Sequence, residues 1–241
     1  MKDFVTSFQS VELLRDPVGA AFQSGWRQWA QTHGAVQSLP EFMGHFASLS
    51  DHAPDAGKDL AEVIAVRKAP VLFLQQDDIH VPPEVCCLQR SSGVQMVLHA
   101  PQSPVKFAGI CQLGPRDAEA MLRLARVCKP GPFEIGTHLL GKFIGLREGG
   151  RLIAMAGQRM RLPGWIEISA VSVHPDYQRR GLGARVIRAM VDLICREGDT
   201  PFLHTYAHNK GAISLYQSLG FEFRAEMHIA PVGPVEQSRA V

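Results

Sequence analysis

Val171-Ser172-Val173-His174-Pro175-Asp176-Tyr177-Gln178-Arg179-Arg180-Gly181-Leu182-Gly183-Ala184 is the stretch on which the reading of this chain turns. A β-branched, apolar run ends at Pro175, a loop with two glycines follows, and an amphipathic helix begins. In that helix Leu182, Val186, Ile187, Met190, Val191 and Ile194 recur at helical spacing, with Arg185, Arg188, Asp192 and Arg196 on the opposite face. Gly181 and Gly183 lack the Cβ atoms that would keep an anion away from the backbone. The first N–H groups of a helix have no intrahelical partner, and the helix dipole adds positive potential at the same end. Strand, glycine loop and helix start together form a cradle suited to a pyrophosphate, with Arg179 and Arg180 able to add charge-assisted contacts.

Two familiar phosphate patterns do not fit. No G-x-x-x-x-G-K-[ST] string occurs in the chain, and a dinucleotide fingerprint would need a third glycine where Val186 stands. The spacing Q/R-x-x-G-x-G/A is met at every position by Gln178, Gly181 and Gly183. Val173-His174-Pro175 precedes it, and residues 209–221 read N-K-G-A-I-S-L-Y-Q-S-L-G-F. These two motifs, in this order and each at a strand–helix junction, resemble the GNAT superfamily of N-acetyltransferases. The resemblance covers about residues 107–229. Within the superfamily, residues 147–173 look most like the branch related to glycine N-acyltransferases, which also carries an extra N-terminal half.

The resemblance implies acetyl-CoA as co-substrate and direct acyl transfer to a primary amine, with no metal and no covalent enzyme intermediate. It implies that the backbone of Val171, Ser172 and Val173 pairs with the pantetheine arm. A bulge in their strand would splay it from its neighbour. Gln178, Arg179, Arg180, Gly181, Leu182, Gly183 and Ala184 would hold the pyrophosphate. Asn209 would contact the cofactor, and Tyr216 would lie near the thioester sulfur and protonate the departing thiolate. A small amine or an amino acid is the expected acceptor. A peptide or protein amine, or a non-catalytic acyl-CoA-binding role, are the alternatives. A homodimer is common in the superfamily.

Chemistry sets the remaining roles. The attacking amine must be neutral, and a lysine-type ammonium, of pKa ~10.4, needs a base more than an α-ammonium does. N–H donors at the strand end can polarise the thioester carbonyl, typically for ~3 kcal/mol each. Glu167, a few residues before the cofactor segment, is the candidate general base. The competing reading pairs it with Arg159 or Arg161 on a neighbouring strand. His138, His174, His204 and His208 are further candidates that the spacing does not separate. Tyr216 could also be a core residue, and Asn209 an N-cap.

Working outward, strands are predicted over 107–113, 143–147, 151–158, 165–173, 201–206 and 221–227, with helices over 114–128, 136–140, 183–196 and 209–219. An antiparallel run followed by two strand–helix steps predicts an α+β fold, with a mixed, mostly antiparallel sheet flanked by helices. Residues 106–230 are assigned to this acyltransferase domain. Residues 1–105 are read as an N-terminal α/β subdomain, either an accessory unit or a degenerate copy of the second half. It has helices over 20–29 and from 40 to 46, a breaker-rich loop over 51–58, and strands over 71–74 and 94–98. Residues 231–241 read as a flexible tail.

The composition adds exclusions. A net charge of +2 on 241 residues gives no reason to expect a nucleic-acid or membrane-surface partner. No run approaches the ~18 apolar residues of a membrane span, and the N-terminus lacks the apolar stretch of a signal peptide. The five cysteines are scattered without C-x-x-C spacing, which fits reduced thiols in a cytoplasm.

Overall fold

The computed structural model describes residues 11–50, 53–99 and 108–235. Helix α1 (Pro17–Phe22) starts where the Asp16 carboxylate accepts from the Gly19 N–H and Pro17 fills the first position, where a missing N–H costs nothing. Three short strands, β1 (Gln31–His33), β2 (Val36–Ser38) and β3 (Ala47–Leu49), form a small antiparallel sheet. Helix α2 (Ala56–Arg67) leads to β4 (Val71–Gln75), β5 (Val85–Cys87) and β6 (Ser91–Val97). Then come β7 (Ile110–Leu113), α3 (Ala118–Cys128), β8 (Phe143–Glu148), β9 (Arg151–Leu162) and β10 (Trp165–Val173). Helix α4 (Leu182–Arg196), β11 (Thr200–Tyr206), α5 (Lys210–Ser218) and β12 (Glu222–Pro234) complete the described chain.

Nine strands make one large sheet in the order β4-β12-β6-β11-β10-β9-β8-β7, with β5 paired to β12. Every pairing is antiparallel except β10 with β11. The fold is therefore the mixed, mostly antiparallel α+β arrangement that the sequence leads one to expect.

Strand alternation sends side chains to two faces. Ile166 and Ile168 of β10 meet Val186, Met190 and Ile194 of α4 on one face. Trp165 turns to the other, where Val18 and Phe22 of α1, Trp26 and Phe202 bury it. Fully burying such a side chain contributes roughly 1.5–3 kcal/mol, so each face is held by several interchangeable contacts. Helix α3 covers β7–β10 through Met121 and Leu124, and α2 covers β4 and β12 through Leu60 and Ile64.

The first hundred residues depart from expectation. Of the predicted helix over 20–29 only residues 20–22 are helical, as the end of Pro17–Phe22; it breaks because Gly25 packs its backbone on Arg161, where a Cβ would fall 2.7 Å from the Arg161 carbonyl. Residues 41–43 form a turn, and Phe46 bridges to Leu72 in place of a helix. Ala56–Arg67 is helical where a loop was expected over 51–58. β6 inserts between β11 and β12, so residues assigned to two units share one sheet; the 105/106 boundary lies outside the described residues. The flexible tail from 231 is corrected for Pro231–Pro234, since Pro231 and Val232 pair with Leu72 and Val71 of β4. Residues 236–241 lie outside the described residues.

Candidate active site

β10 runs parallel to β11 in register from Trp165/Thr200 to Ile168/Leu203, and there the pairing stops. On the other edge its register with β9 shifts between Ser169 and Ser172, and Ala170 takes φ +53°. That left-handed conformation costs a residue with a Cβ roughly 1–2 kcal/mol, and it marks a β-bulge. The bulge turns the end of β10 away while β11 stays on β6 as far as Tyr206/Gly93. A cleft of about 300 Å³ opens between them. Ser169, Ala170, Val171 and Val173 line it from β10, with His204, Thr205 and Tyr206 from β11.

The helices supply one side of this cleft. Gly183 comes from α4, and Asn209, Ala212, Leu215 and Tyr216 from the start and face of α5. Between β10 and α4 the chain makes a 3-10 turn, Pro175–Tyr177, in which the Asp176 N–H donates to His174 Nδ1. Arg179 (φ +61°) and Gly181 (φ +71°) then reverse it. The first rung of α4 is Arg185 N–H to the Gly181 carbonyl, 3.1 Å, so the N–H groups of Leu182, Gly183 and Ala184 precede the ladder.

The two glycines act differently. Gly181 is required by its backbone angle. At Gly183 a Cβ would meet Leu215 at 3.5 Å and Val173 at 3.7 Å, ordinary contacts. The fold would admit that Cβ; what it would occupy is the cleft.

The other predicted cofactor residues fall as follows. Gln178, Arg179 and Arg180 are exposed, and the Arg180 guanidinium lies over the Tyr177 ring at 4.9 Å. Ser172 is buried, its hydroxyl donating to the Ala170 carbonyl, and does not line the cleft. Asn209 caps α5, accepting from the Ala212 N–H at 3.1 Å, and also lines the cleft. Tyr216 reaches the cleft from a buried position, and its hydroxyl makes no hydrogen bond to a described residue. Burial pushes its pKa up to about 12.

Glu167 forms the pairing that the competing reading allowed. It is completely buried and absent from the cleft wall. Its two oxygens accept from Arg159 Nε at 2.8 Å and Nη2 at 2.6 Å, and one also meets His204 Nδ1 at 2.8 Å. Burial alone would raise its pKa, but the Arg159 charge and the His204 and Arg159 hydrogen bonds outweigh it and hold the carboxyl at about 2. A carboxylate so placed has no direct path to an acceptor amine, and the alternative pairing with Arg159 is the one formed.

His204 does line the cleft, but both ring nitrogens are engaged. Gln95 Nε2 donates to the Leu14 carbonyl and also stands 2.9 Å from His204 Nε2. Nε2 is therefore the accepting nitrogen and Nδ1–H faces Glu167. His174 sits at the loop entrance against Arg151, His138 is turned to the Ile135 carbonyl, and His208 stacks on Tyr206.

The far side of the cleft was not legible in the sequence. Phe46, Leu72 and Leu74 from the first hundred residues, Ile229 from β12 and Arg159 from β9 build it, and Cys128–Pro132 closes it beyond α3. Among the described residues, no group of three or more His, Cys, Asp or Glu side chains is placed to hold a metal ion. No helix among them is long and apolar enough to cross a membrane.

Comparison with known proteins places this geometry. The FR47-like protein family matches residues 143–229. A crystal structure from Novosphingobium aromaticivorans, assigned to the GNAT family of acetyltransferases, is 34% identical with a TM-score of 0.85. The alignment covers 92% of this chain and 98% of that one. The GCN5-related N-acetyltransferase of Kribbella flavida shares the fold at 16% identity, with a TM-score of 0.61 over 89% of this chain and 93% of its own. The N-alpha-acetyltransferase RimI of Mycobacterium tuberculosis is 36% identical over 83 residues, 33% of this chain. The ribosomal protein bS18-alanine N-acetyltransferase of Escherichia coli K12 is 44% identical over 52 residues, 21% of this chain. The matched stretches span only 51% and 35% of those two relatives.

Proposed function

The chain belongs to the GNAT family of acetyltransferases, and from that premise we propose that it moves an acetyl group from acetyl-CoA to a primary amine by direct attack in a ternary complex. The observation that carries the reading is the Ala170 bulge, which parts β10 from β11 and opens one cleft from the start of α4, past Tyr216, to the Phe46 wall. In this reading the pantetheine arm extends along Val171–Val173 and takes up the backbone pairing that β11 relinquishes. The pyrophosphate rests on the N–H groups that precede the first rung of α4, with Arg179 and Arg180 beside it.

Each step then has a residue. N–H donors of the splayed β10 segment polarise the thioester carbonyl. The amine adds to the carbonyl carbon, the C–S bond breaks, the nitrogen gives up its surplus proton to water, and the sulfur leaves toward the Tyr216 hydroxyl. At a pKa of about 12 the phenol is a weaker acid than in water. Its first contribution is thus a hydrogen bond to the developing thiolate. The proton passes only as far as the same burial raises the thiolate's affinity for it.

No base stands free among the described residues that line the cleft, since His204 is held at both nitrogens. The acceptor therefore loses its proton to solvent before attack. The logarithm of kcat/KM is expected to rise with unit slope up to the acceptor's own pKa, and to shift with the acceptor. A break that is independent of the acceptor and vanishes in His204→Gln would assign the base to His204 instead.

A small amine or amino acid is the favoured acceptor, because the first hundred residues wall the far end. A peptide amine is the second reading. A further cavity of about 360 Å³ shares Leu72, Tyr206 and Ile229 with the cleft and continues past His45 and His208. Thiol release from acetyl-CoA across amines, amino acids and peptides tests the proposal. Tight cofactor binding with no acceptor-dependent release would reduce the protein to an acyl-CoA-binding module.

A further inference from the structure

We infer that the acceptor is an amine that also carries a carboxylate, and that the outward edge of the Arg159 guanidinium receives it; this rests on the transferase reading above. Arg159 spends Nε and Nη2 on Glu167, at 2.8 and 2.6 Å. A guanidinium has five N–H donors in a fixed plane. Two of the five serve Glu167; the two on Nη1 and the second on Nη2 have no partner among the described residues, although the side chain is only 10% exposed. Arg159 lines the cleft, so its remaining access is to that space. A donor pair left unmade in a nine-tenths buried position costs desolvation that a ligand oxygen would recover.

The edge is held in place. The Arg159 guanidinium lies 4.7 Å over the Phe46 ring, Glu167 fixes its inner side, and Trp26 Nε1 donates to the Arg159 carbonyl at 2.8 Å. A planar fork pre-organised in this way suits a carboxylate better than a point-charge ammonium would.

Charge on the wall decides between acceptor classes. Among the described residues, the cationic side chains lining the cleft are Lys129 and Arg159, and no Asp or Glu lines it. An acceptor with a second ammonium, such as a polyamine, would meet no counter-ion there. An amino acid meets Arg159, and its hydrocarbon part meets Phe46, Leu72, Leu74 and Ile229. The pairing leaves the reacting atoms unchanged: the amine still adds to the thioester and CoA thiol still departs.

The test compares glycine, alanine, leucine and phenylalanine, each with its carboxamide and its decarboxylated amine, in acetyl-CoA thiol release expressed per neutral amine. The carboxylate form is expected to lead by about 10- to 100-fold in kcat/KM, the range of a charge-assisted pair. Arg159→Lys, which keeps a cation for Glu167 but not the fork, should erase most of that lead, the carboxylate form losing far more than the amide and amine forms. Calorimetry of N-acetyl-leucine against N-acetyl-leucinamide on the CoA complex gives a second readout that needs no turnover. Carboxamides or simple amines used as well as amino acids would overturn the inference and leave the transferase standing. Equal loss for all three forms in Arg159→Lys would make Arg159 a structural residue only, and overturn it too. If no acceptor releases thiol, the transferase reading fails, and calorimetry decides: tighter binding of the carboxylate supports the Arg159 receptor, equal or absent binding overturns it.

Discussion

Glu167 and Tyr216 are both buried acids, and their surroundings move them in opposite directions. Glu167 has a paired arginine and stays ionised; Tyr216 has no charge partner and stays protonated. The folded-state pKa of Glu167, about 2, lies below its ordinary 4.5. The unfolded chain therefore takes up a proton first as pH falls. Stability from this carboxylate is complete above pH 4.5 and is lost as pH drops toward 2. Glu167→Gln should flatten that acid limb in thermal melts while lowering stability at pH 7, because it leaves Arg159 buried without its counter-charge. An unchanged acid limb would mean that another carboxylate carries it. Tyr216→Phe is expected to lower kcat by about 10- to 100-fold with CoA affinity nearly unchanged, the share of one donor aimed at developing charge. Unaltered kcat would remove Tyr216 from the mechanism. At this scale the sequence named Tyr216 through its motif, yet could not choose a partner for Glu167. Arg161 is the nearer of the two arginines in the chain, yet the shift in register between Ile166 and Ile168 brings Arg159 to it instead.

The element that organises the proposed cofactor end is the start of α4. A Cβ at Gly183 finds ordinary protein contacts, so Gly183→Ala should leave the melting temperature within a few degrees of wild type. Gly183→Trp fills the cleft and should weaken CoA binding by at least about 100-fold, judged from the loss of well-formed phosphate contacts. Normal affinity in calorimetry would undo the placement of the pyrophosphate. This junction was legible because its signals are local: an apolar run, glycines and a helical stripe of Val186, Met190 and Ile194. Ala56–Arg67 was not, since Leu60 and Ile64 give too narrow a buried stripe to announce a helix. The bulge at Ala170 was expected from resemblance alone, because an alanine in the left-handed region carries no sign of it in the sequence.

Across the molecule, β6 is the strand that joins the two stretches. It pairs with β11 from Phe202/Val97 to Tyr206/Gly93 and with β12 from Glu222 to Ile229. Without it, the facing edges of both strands would lie bare in the middle of the sheet. A chain beginning at residue 106 should therefore fail to give a cooperative melt, and co-expression with residues 1–105 should restore one. A stable, cooperative fragment from 106 would contradict this. The sequence could not foresee such sharing, because strand pairing between distant segments leaves no local periodicity. The same insertion brings Phe46, Leu72 and Leu74 to the cleft, so the first hundred residues shape its far wall.

The measurement that bears most directly on the central claim follows free thiol and acetylated amine together, from acetyl-CoA and a panel of amino acids, amines and peptides. The account predicts acceptor-dependent thiol release matched one for one by N-acetylated product, with no acyl-enzyme on the protein by mass spectrometry. Saturable CoA binding with no acetylated amine from any acceptor would contradict it.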